Sequence, residues 1–370
     1  MGAYLIWIGI FLATAVVVEA AQYPLRRSQK KWPRVVAFLV KLVVLVVVSA
    51  MVISFDSYLV WHLNKLLSAL HCVLLGDLAV ELVLGVAALV RKQDLKPMAS
   101  TAVCLAAAVA MCVYATVNAQ LGVVREAAVT SDKLDRDYTF ALLADTHIGT
   151  SEFYGAFEAN LDKTAALSPD FVVLAGDVVD DFATSWQMNY AFDAIGQRLV
   201  AKGIPVYYAY GNHDRQFCAD SANGHQYSYD EIAQAMERNG IVAAQDEYVK
   251  IGDDLLFLGR QDATEESRLS GPDVAALNPD RGAFLLMADH SPLDQESPKD
   301  IRPDLAVSGH THAGQVFTSQ VLSLLWESPS YGISEYDYET LLVTAGTGGW
   351  GPVRTRENCE IWLVSLQSAK

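Results

Sequence analysis

Four long apolar stretches within the first 120 residues constrain the fold of this chain more than any other feature. A helix that crosses the hydrocarbon core of a bilayer needs about 20 predominantly apolar residues. Four stretches meet this requirement, over residues 3–21, 35–55, 66–90 and 98–117. No Lys or Arg precedes the first stretch, which argues against a cleaved signal peptide. The sequence therefore predicts a four-span helical membrane domain over residues 1–122.

The charges of the connecting loops predict how these spans are oriented. The first connection holds five basic residues and no acid, and the third holds three basic residues against Asp94 alone. Basic loops next to membrane spans remain in the cytoplasm. Four spans then place both the N-terminus and everything after residue 118 outside the cytoplasm.

Two acidic residues fall inside the third predicted span. Asp77 and Glu81 are four residues apart, so they share one face of a helix. Charged groups at this depth are costly and either serve a function or hold helices together. Because no further polar ladder marks a pathway, we favour contacts between helices, with His71 or Lys41 as partner, over transport.

The rest of the chain has a different character. Residues 1–125 hold 11 basic and 5 acidic residues, whereas residues 126–370 hold 16 and 38. This acidic balance argues against nucleic-acid binding, which needs a basic face. Five cysteines are too few for a disulfide framework. After a polar linker over 123–137, strands alternate with helices over 138–370, which is typical of an α/β layered domain.

Five predicted strands of this part each end in a cluster of metal-binding side chains. The clusters are D-T-H at 145–147, G-D-V-V-D at 176–180, G-N-H-D at 211–214, D-H at 289–290 and G-H-T-H at 309–312. Ligands of open α/β sheets bind beyond the carboxyl ends of the strands, so the five loops are placed to form one site. Imidazole combined with carboxylate suits Mn, Fe or Zn.

The order D-x-H, G-D-x-x-D, G-N-H-D, a later His and G-H-x-H resembles that of the calcineurin-like metallophosphoesterases, over about residues 138–366. The stretch G-H-T-H-A-G-Q at 309–315 is similar to the membrane-anchored bacterial YaeI/YkuE-type branch, which usually has Gly in place of Ala313. The resemblance implies a four-layer α/β domain of two packed mixed β-sheets flanked by helices. It also implies two divalent metal ions, with Mn preferred and Fe or Zn as alternatives.

The resemblance assigns a metal-binding role to seven residues. The first metal would be bound by Asp145, His147 and His312, the second by Asn212, His290 and His310, and Asp177 would bridge the two. One carboxylate with two oxygens can bridge metals that lie about 3.5–4 Å apart.

The resemblance also implies supporting roles around these ligands. His213 would be the acid or hydrogen-bond donor that faces the leaving group. Asp214 would orient His213, and Asp180 would either support a ligand or cap the next turn.

Three further residues are candidates for substrate binding. His225 and Trp326 lie in the aromatic segments 217–229 and 320–338. The apolar part of the second segment, 322–326, either enters the lipid headgroup region or belongs to a core helix. The Gly-rich stretch 346–351 lacks the Lys-Ser/Thr of a P-loop. Arg354, which follows it, either binds phosphate or is a solvated surface charge.

These features predict a membrane-anchored enzyme that hydrolyses a phosphodiester by attack of metal-bound hydroxide on phosphorus, without a covalent intermediate. Tethering to the bilayer favours a lipid-linked or cell-envelope substrate. The enzymatic alternative is a cytosol-facing pyrophosphatase of a UDP-linked lipid A precursor, which requires the opposite topology. The alternative from another class is a metal-stabilised scaffold or binding module without catalysis. The oligomeric state stays open.

Overall fold

The computed structural model describes residues 2–28, 31–53, 58–91, 96–151, 153–216, 226–317 and 329–370. The chain divides into two compact units. The first unit contains residues up to Ala119 and also takes in short segments from much later in the chain, among them Trp350–Thr355. The second unit contains most of the chain from Gln120 onwards.

The first unit is built from four long helices. They are α1 (Gly2–Arg27), α2 (Trp32–Ile53), α3 (Tyr58–Arg91) and α4 (Pro97–Asn118). Each contains a stretch long and apolar enough to cross a membrane: Ile6–Arg27, Trp32–Met51, Leu63–Ala88 and Pro97–Asn118. The prediction of four apolar N-terminal helices is confirmed. Pro97 begins α4, where its missing N–H costs no hydrogen bond and its fixed φ suits the first turn.

Five charged side chains from three helices meet inside this unit: Glu19, Arg26, Lys41, Asp77 and Glu81. The fully buried Asp77 carboxylate accepts hydrogen bonds from Lys41 Nζ at 2.7 Å and from Arg26 Nη2 at 3.0 Å. Of the two partners predicted from the sequence, Lys41 and not His71 pairs with the intramembrane acids, and Arg26 pairs with them as well. Buried ions that pair across helices are costly to separate, so this network links α1, α2 and α3.

The second unit contains two six-stranded mixed sheets. The first has the strand order β1 (Val123–Ser131), β12 (Glu360–Ser368), β2 (Tyr138–Leu143), β3 (Phe171–Ala175), β4 (Val206–Ala209) and β5 (Ile241–Ala244). The second has the order β10 (Gly332–Glu335), β11 (Thr340–Val343), β9 (Leu305–Ser308), β8 (Phe284–Ala288), β7 (Leu255–Gly259) and β6 (Glu247–Lys250). The strands β2 to β5 run parallel, as do β7, β8 and β9. Their carboxyl ends therefore fall at one edge of each sheet.

Helices cover the outer faces of both sheets. The helices α5 (Tyr154–Ala166), α6 (Ser185–Arg198) and α7 (Tyr229–Arg238) pack on the first sheet, and α8 (Gly271–Ala276) and α9 (Ser297–Ile301) pack on the second. A third apolar cluster, which includes Phe140, Phe171, Phe257 and Phe284, fills the space between the sheets. The predicted four-layer α/β architecture is confirmed. It forms because alternating strand residues supply an apolar face to each side of a sheet.

The segment predicted as a linker over 123–137 differs from that expectation. Its residues 123–131 form β1, which pairs in parallel with β12 from Val123 opposite Glu360 to Ser131 opposite Ser368. Its side chains alternate between half-buried and exposed, as on an edge strand with one face exposed to solvent. Its exposed positions, Val124, Glu126, Ala128 and Thr130, carry no marked apolar pattern, which makes the strand look like a linker in sequence. The strands β6 and β7 pair as an antiparallel hairpin.

The contact between α3 and α4 generates a prediction about Gly76. A Cβ atom at Gly76 would lie 3.0 Å from the backbone of Ala107 and Ala108, whereas a Cβ at Gly85 of the same helix would meet nothing within 4 Å. We expect Gly76→Val to destabilise the full-length protein in detergent by about 1–3 kcal/mol, because overpacking forces the helices apart. Thermal unfolding of Gly76→Val and of the matched control Gly85→Val tests this. Equal melting temperatures for the two variants would contradict it.

Candidate metal centre

The structure brings the motif residues together at the carboxyl edges of the parallel strands. Asp145 and His147 follow β2, Asp177 follows β3 and Asn212 follows β4 in the first sheet. In the second sheet, His290 follows β8, and His310 and His312 follow β9. Six of these seven side chains are buried and His310 is half-buried. The site thus draws on both sheets of the second unit.

One group of donor atoms consists of Asp145, His147 and His312. The Nε2 atoms of His147 and His312 are 3.1 Å apart. Asp145 Oδ1 lies 3.9 Å from His147 Nε2 and 3.7 Å from His312 Nε2. Three donor atoms that converge at these distances leave room for one cation between them.

A second group consists of Asp177, His290 and His310. Asp177 Oδ2 lies 2.9 Å from His290 Nε2. Asn212 joins the group, since its Oδ1 is 3.1 Å from His310 Nδ1. The residues expected for the second metal therefore also lie together.

Asp177 lies between the two groups. Its Oδ2 atom is 3.7 Å from His147 Nε2 in the first group and 2.9 Å from His290 Nε2 in the second. This oxygen is buried and accepts no hydrogen bond from the described residues. A buried carboxylate oxygen without a hydrogen-bond donor is costly unless a positive charge lies beside it. The donor set therefore fits a pair of divalent cations.

Backbone strain is concentrated at this site. Five of the seven proposed ligands have φ in the left-handed region, between 46° and 69°: Asp145, His147, Asp177, His310 and His312. Such conformations cost residues other than glycine roughly 1–3 kcal/mol each and persist only where the surroundings impose them. Each turns the chain sharply after a strand, which aims the side chain into the site.

Two glycines of the motifs permit the close approach of the ligand loops. A Cβ at Gly211 would lie 2.1 Å from Asp177 Oδ1, and a Cβ at Gly309 would lie 2.5 Å from Asp145 Oδ2. Any side chain there would displace a ligand carboxylate. This contact explains in physical terms why G-N-H and G-H-x-H begin with glycine.

Supporting contacts differ in part from the sequence-based expectation. His213 Nδ1 contacts the carboxylate of Asp181, and not that of Asp214, so the predicted orienting role of Asp214 is wrong. The Asp214 carboxylate instead accepts hydrogen bonds from backbone N–H groups on two loops, including those of Gly211 and Asp177 at 2.8 Å each. It therefore fixes the loop that carries Asp177. The tandem acids at 180 and 181 were the available signal for Asp181.

Two ligand histidines are also oriented from behind. Asp180 Oδ2 lies 3.0 Å from His147 Nδ1, which places Asp180 in the supporting role rather than in a turn cap. The carbonyl of Ala175 lies 2.8 Å from His290 Nδ1. Contacts at Nδ1 leave the Nε2 atoms of both rings facing the donor groups.

The electrostatic environment shifts the pKa values of Asp177 and His213 in opposite directions. Burial raises the pKa of Asp177, but His290, His213 and His147 outweigh burial and hold it well below its usual value. Burial lowers the pKa of His213, but Asp177 and Asp181 outweigh it and raise that pKa to about 10. In the metal-free site Asp177 is thus anionic and His213 carries a proton at neutral pH.

One acid near the second group has no counterpart in the motifs. Asp262, in the loop after β7, is buried. Burial lowers the pKa of His310 to about 4, and the negative charges of Asp177 and Asp262 oppose this shift without reversing it. The Asp262 carboxylate also accepts a hydrogen bond from the Thr264 N–H at 2.8 Å. Sequence reasoning missed it because the surrounding stretch contains no histidine.

The three predicted substrate residues are not brought to this site by the described part of the structure. His225, Trp326 and the stretch 322–326 lie outside the described residues. Arg354 belongs to the helical unit, where it is fully buried. The alternative of a solvated surface charge at Arg354 is therefore wrong, and its expected role in phosphate binding gains no support.

Comparison with known proteins agrees with this geometry. Residues 138–314 match the family model of the calcineurin-like phosphoesterases. The chain therefore carries a calcineurin-like metallophosphoesterase domain, of a family that uses a dinuclear metal centre.

Similar proteins include two that are named as transmembrane proteins with such a domain. A Danio rerio "Transmembrane protein with metallophosphoesterase domain" is 30% identical over 70% of this chain and 61% of its own length. A Bos taurus protein of the same name is 28% identical over 62% of this chain and 52% of its own length. An uncharacterised metallophosphoesterase of Campylobacter jejuni is 26% identical over 70% and 67%. Together with the four apolar helices, the two relatives named as transmembrane proteins support a multi-pass membrane protein. The bacterial branch stays a prediction.

The close contact at Gly309 generates a prediction about metal binding. We expect Gly309→Ala to weaken binding of Mn²⁺ by about 10- to 100-fold, because its Cβ would displace the Asp145 carboxylate. Gly155→Ala on α5 is the matched control, since a Cβ there meets nothing within 4 Å. Titration calorimetry of the metal-free full-length protein measures both. Equal affinity in the two variants would contradict the prediction.

Proposed function

We propose that this protein is a membrane-anchored phosphodiesterase that uses two divalent cations held by the loops at the carboxyl edges of its two sheets. The observation that carries the proposal is the position of Asp177 Oδ2, a buried and anionic oxygen shared by two groups of donor atoms. A pair of cations bound in this way is a recurrent arrangement for phosphoryl transfer to water.

Each cation would have its own ligands. Asp145, His147 and His312 would hold the first, and Asn212, His290 and His310 would hold the second, with Asp177 shared. When bound, the cations would supply Lewis acidity for the phosphate oxygens and generate a nucleophile from water near neutral pH. Mixed nitrogen and oxygen donors favour Mn²⁺, with Fe or Zn as alternatives.

His213 would act on the leaving group. Asp181 contacts its Nδ1 atom, so the opposite ring nitrogen is the one that would give a proton to the departing oxygen. The Asp181 carboxylate beside Nδ1 would favour the protonated ring before the reaction. The His213 ring lies 5.1 Å from that of His147, between ring centroids, which puts the proton close to the first group.

The substrate class follows from the membrane anchor. Four apolar helices keep the chain in a bilayer, where phosphodiesters of lipids or of the cell envelope reach the highest local concentration. The intact donor set and the Asp181–His213 pair argue for catalysis and against a metal-stabilised scaffold. We place the phosphoesterase domain outside the cytoplasm, on the basis of the two basic loops.

The role of His213 is tested by separating metal binding from turnover. We expect Asp181→Asn and His213→Ala to retain two Mn²⁺ per chain but to lower kcat for a phosphodiester with an alkyl leaving group, such as glycerophosphocholine, by about 10²- to 10⁴-fold, because the departing alkoxide needs a proton. Asp177→Asn should lose metal and activity together, because it removes the negative charge of the shared ligand. Asp253→Asn, which alters an exposed carboxylate between β6 and β7, is the control and should behave as wild type. Unchanged turnover in His213→Ala would refute the acid role, and a fully metallated, active Asp177→Asn would refute the shared ligand.

The orientation is tested by adding a protease to intact spheroplasts and to lysed ones. Digestion of the phosphoesterase domain without lysis is the expected result. Protection until lysis would reverse the topology and make a cytosolic substrate, such as a UDP-linked lipid A precursor, the leading candidate.

A further inference from the structure

The helical unit contains two short pieces of chain that do not belong to its helices. They are Val316 with Phe317, and the segment Trp350–Thr355. We call them the inserted segments. Each begins close to a proposed ligand of the first cation. Val316 is four residues after His312, and Trp350 is four residues after Gly346, whose backbone lies against Asp145.

Apolar side chains of the inserted segments are fully buried among the helices. Val316 packs with Val48 of α2 and Leu67 of α3. Val353 lies in a cluster with residues of α1, α3 and α4, including Trp7. Fully buried valines of this kind are typical of a protein core and not of a loop that passes over a surface.

The backbone of the second inserted segment is also bound. The Arg354 N–H donates to the Ala115 carbonyl at 2.9 Å, and the Arg354 carbonyl accepts from Asn118 Nδ2 at 3.1 Å. A Cβ at Gly351 would lie 2.3 Å from Asn64 Nδ2, so the chain passes directly against α3 at this glycine. Three points on α3 and α4 therefore fix the segment.

His71 of α3 joins the two inserted segments. Its Nε2 atom lies 3.1 Å from Thr355 Oγ1, which in turn accepts a hydrogen bond from the Phe317 N–H at 3.0 Å. On its other side, His71 Nδ1 lies 3.0 Å from Ser49 Oγ. Ser49 donates its own proton to the Leu45 carbonyl at 2.6 Å, so Ser49 accepts from Nδ1–H of His71. Nε2 then accepts a hydrogen bond from the Thr355 hydroxyl. Both ring nitrogens of His71 and both hydroxyl groups in this series therefore have hydrogen-bond partners.

Contacts of Arg356, the next residue in sequence, connect Thr355 to the turn that carries His312. Arg356, the residue after Thr355, donates through its N–H to the Gln315 carbonyl at 3.3 Å and through its guanidinium to the Ala313 carbonyl. His312 and Ala313 both have φ of 51°, a conformation that needs support from its surroundings. The turn that presents His312 is thus tied at its far end to residues that His71 holds.

The start of the second inserted segment is close to another ligand of the same cation. A Cβ at Gly346 would lie 2.8 Å from the Cβ of Asp145, and one at Gly348 would lie 2.6 Å from the Thr146 carbonyl. The two inserted segments therefore adjoin His312 and Asp145, which are both ligands of the first group and not of the second.

From these contacts we infer that His71, inside the membrane-spanning helices, is a positioning residue for the first cation site. It acts through Thr355 and Phe317 on the turn that carries His312. The inference rests on the proposed function, since it concerns the same metal centre. It gives the helices a part in forming the site, in addition to anchoring the chain.

The first test needs neither metal nor substrate. We expect hydrogen–deuterium exchange of peptides from His310 to Phe317 to increase in full-length His71→Ala and in Thr355→Val, which is isosteric. His71→Gln places an acceptor near the position of Nε2 and should restore protection in part. Thr14→Val is the control, because Thr14 bonds only to the Ile10 carbonyl of its own helix among the contacts described. Wild-type exchange in both His71→Ala and Thr355→Val would overturn the inference.

The second test measures Mn²⁺ binding by calorimetry. His71→Ala and Thr355→Val should each weaken one of the two sites by about 10-fold, and the double variant should be no weaker than either single variant. For bis(4-nitrophenyl) phosphate, kcat should fall while KM changes little. Additive effects of the two substitutions, or equal weakening in Thr14→Val, would overturn the inference.

The two tests also separate this inference from the proposed function. A wild-type protein that binds two Mn²⁺ but hydrolyses no phosphodiester would refute the proposed function. The exchange and affinity differences would still support His71 as a positioning residue in that case.

Discussion

Two buried carboxylates, Asp145 and Asp177, set the requirements that the rest of the phosphoesterase domain meets. Removing such charges from water costs several kcal/mol each unless positive charge surrounds them. Burial raises the pKa of Asp145 accordingly, whereas the histidines around Asp177 keep its pKa low. Bound cations would offset the desolvation cost of both carboxylates. The convergence of five loops brings the metal-binding side chains close enough together to hold such cations. The parallel strands, the motif glycines and the strained ligand backbones all serve that convergence.

Much of the site could be predicted from the sequence because its ligands lie directly after strands. A strand that ends in D-T-H or G-N-H-D fixes the position of these residues to within one turn, and parallel strands bring such turns to one edge. The four apolar helices were equally predictable, since their length and composition are dictated by the bilayer.

The remaining features depend on distances that a sequence does not encode locally. Asp181 and Asp214 are both acids near His213, and only the path of each turn decides that Asp181 reaches its ring. The pairing of β1 with β12 joins residues more than 200 positions apart, so β1 looked like a linker. The contact of His71 with Thr355 spans 284 positions, and no motif marks it. Neither alternative considered for Arg354, a phosphate contact or a solvated surface charge, anticipated a fully buried position in the helical unit, because no sequence motif marks a buried arginine.

The composition of the helical unit has a consequence for the order of assembly. Its helices are complete once residue 118 has been synthesised, but Val353, which fills its core, is made 235 residues later. The helices therefore enter the membrane with an unfilled position that only the end of the chain can occupy. Folding of the unit cannot finish before translation has nearly ended, so its last step comes after the strands β1 to β11 of the phosphoesterase domain have been synthesised. A chain that ends before this segment would leave the helical core open, even though all four membrane spans were in place.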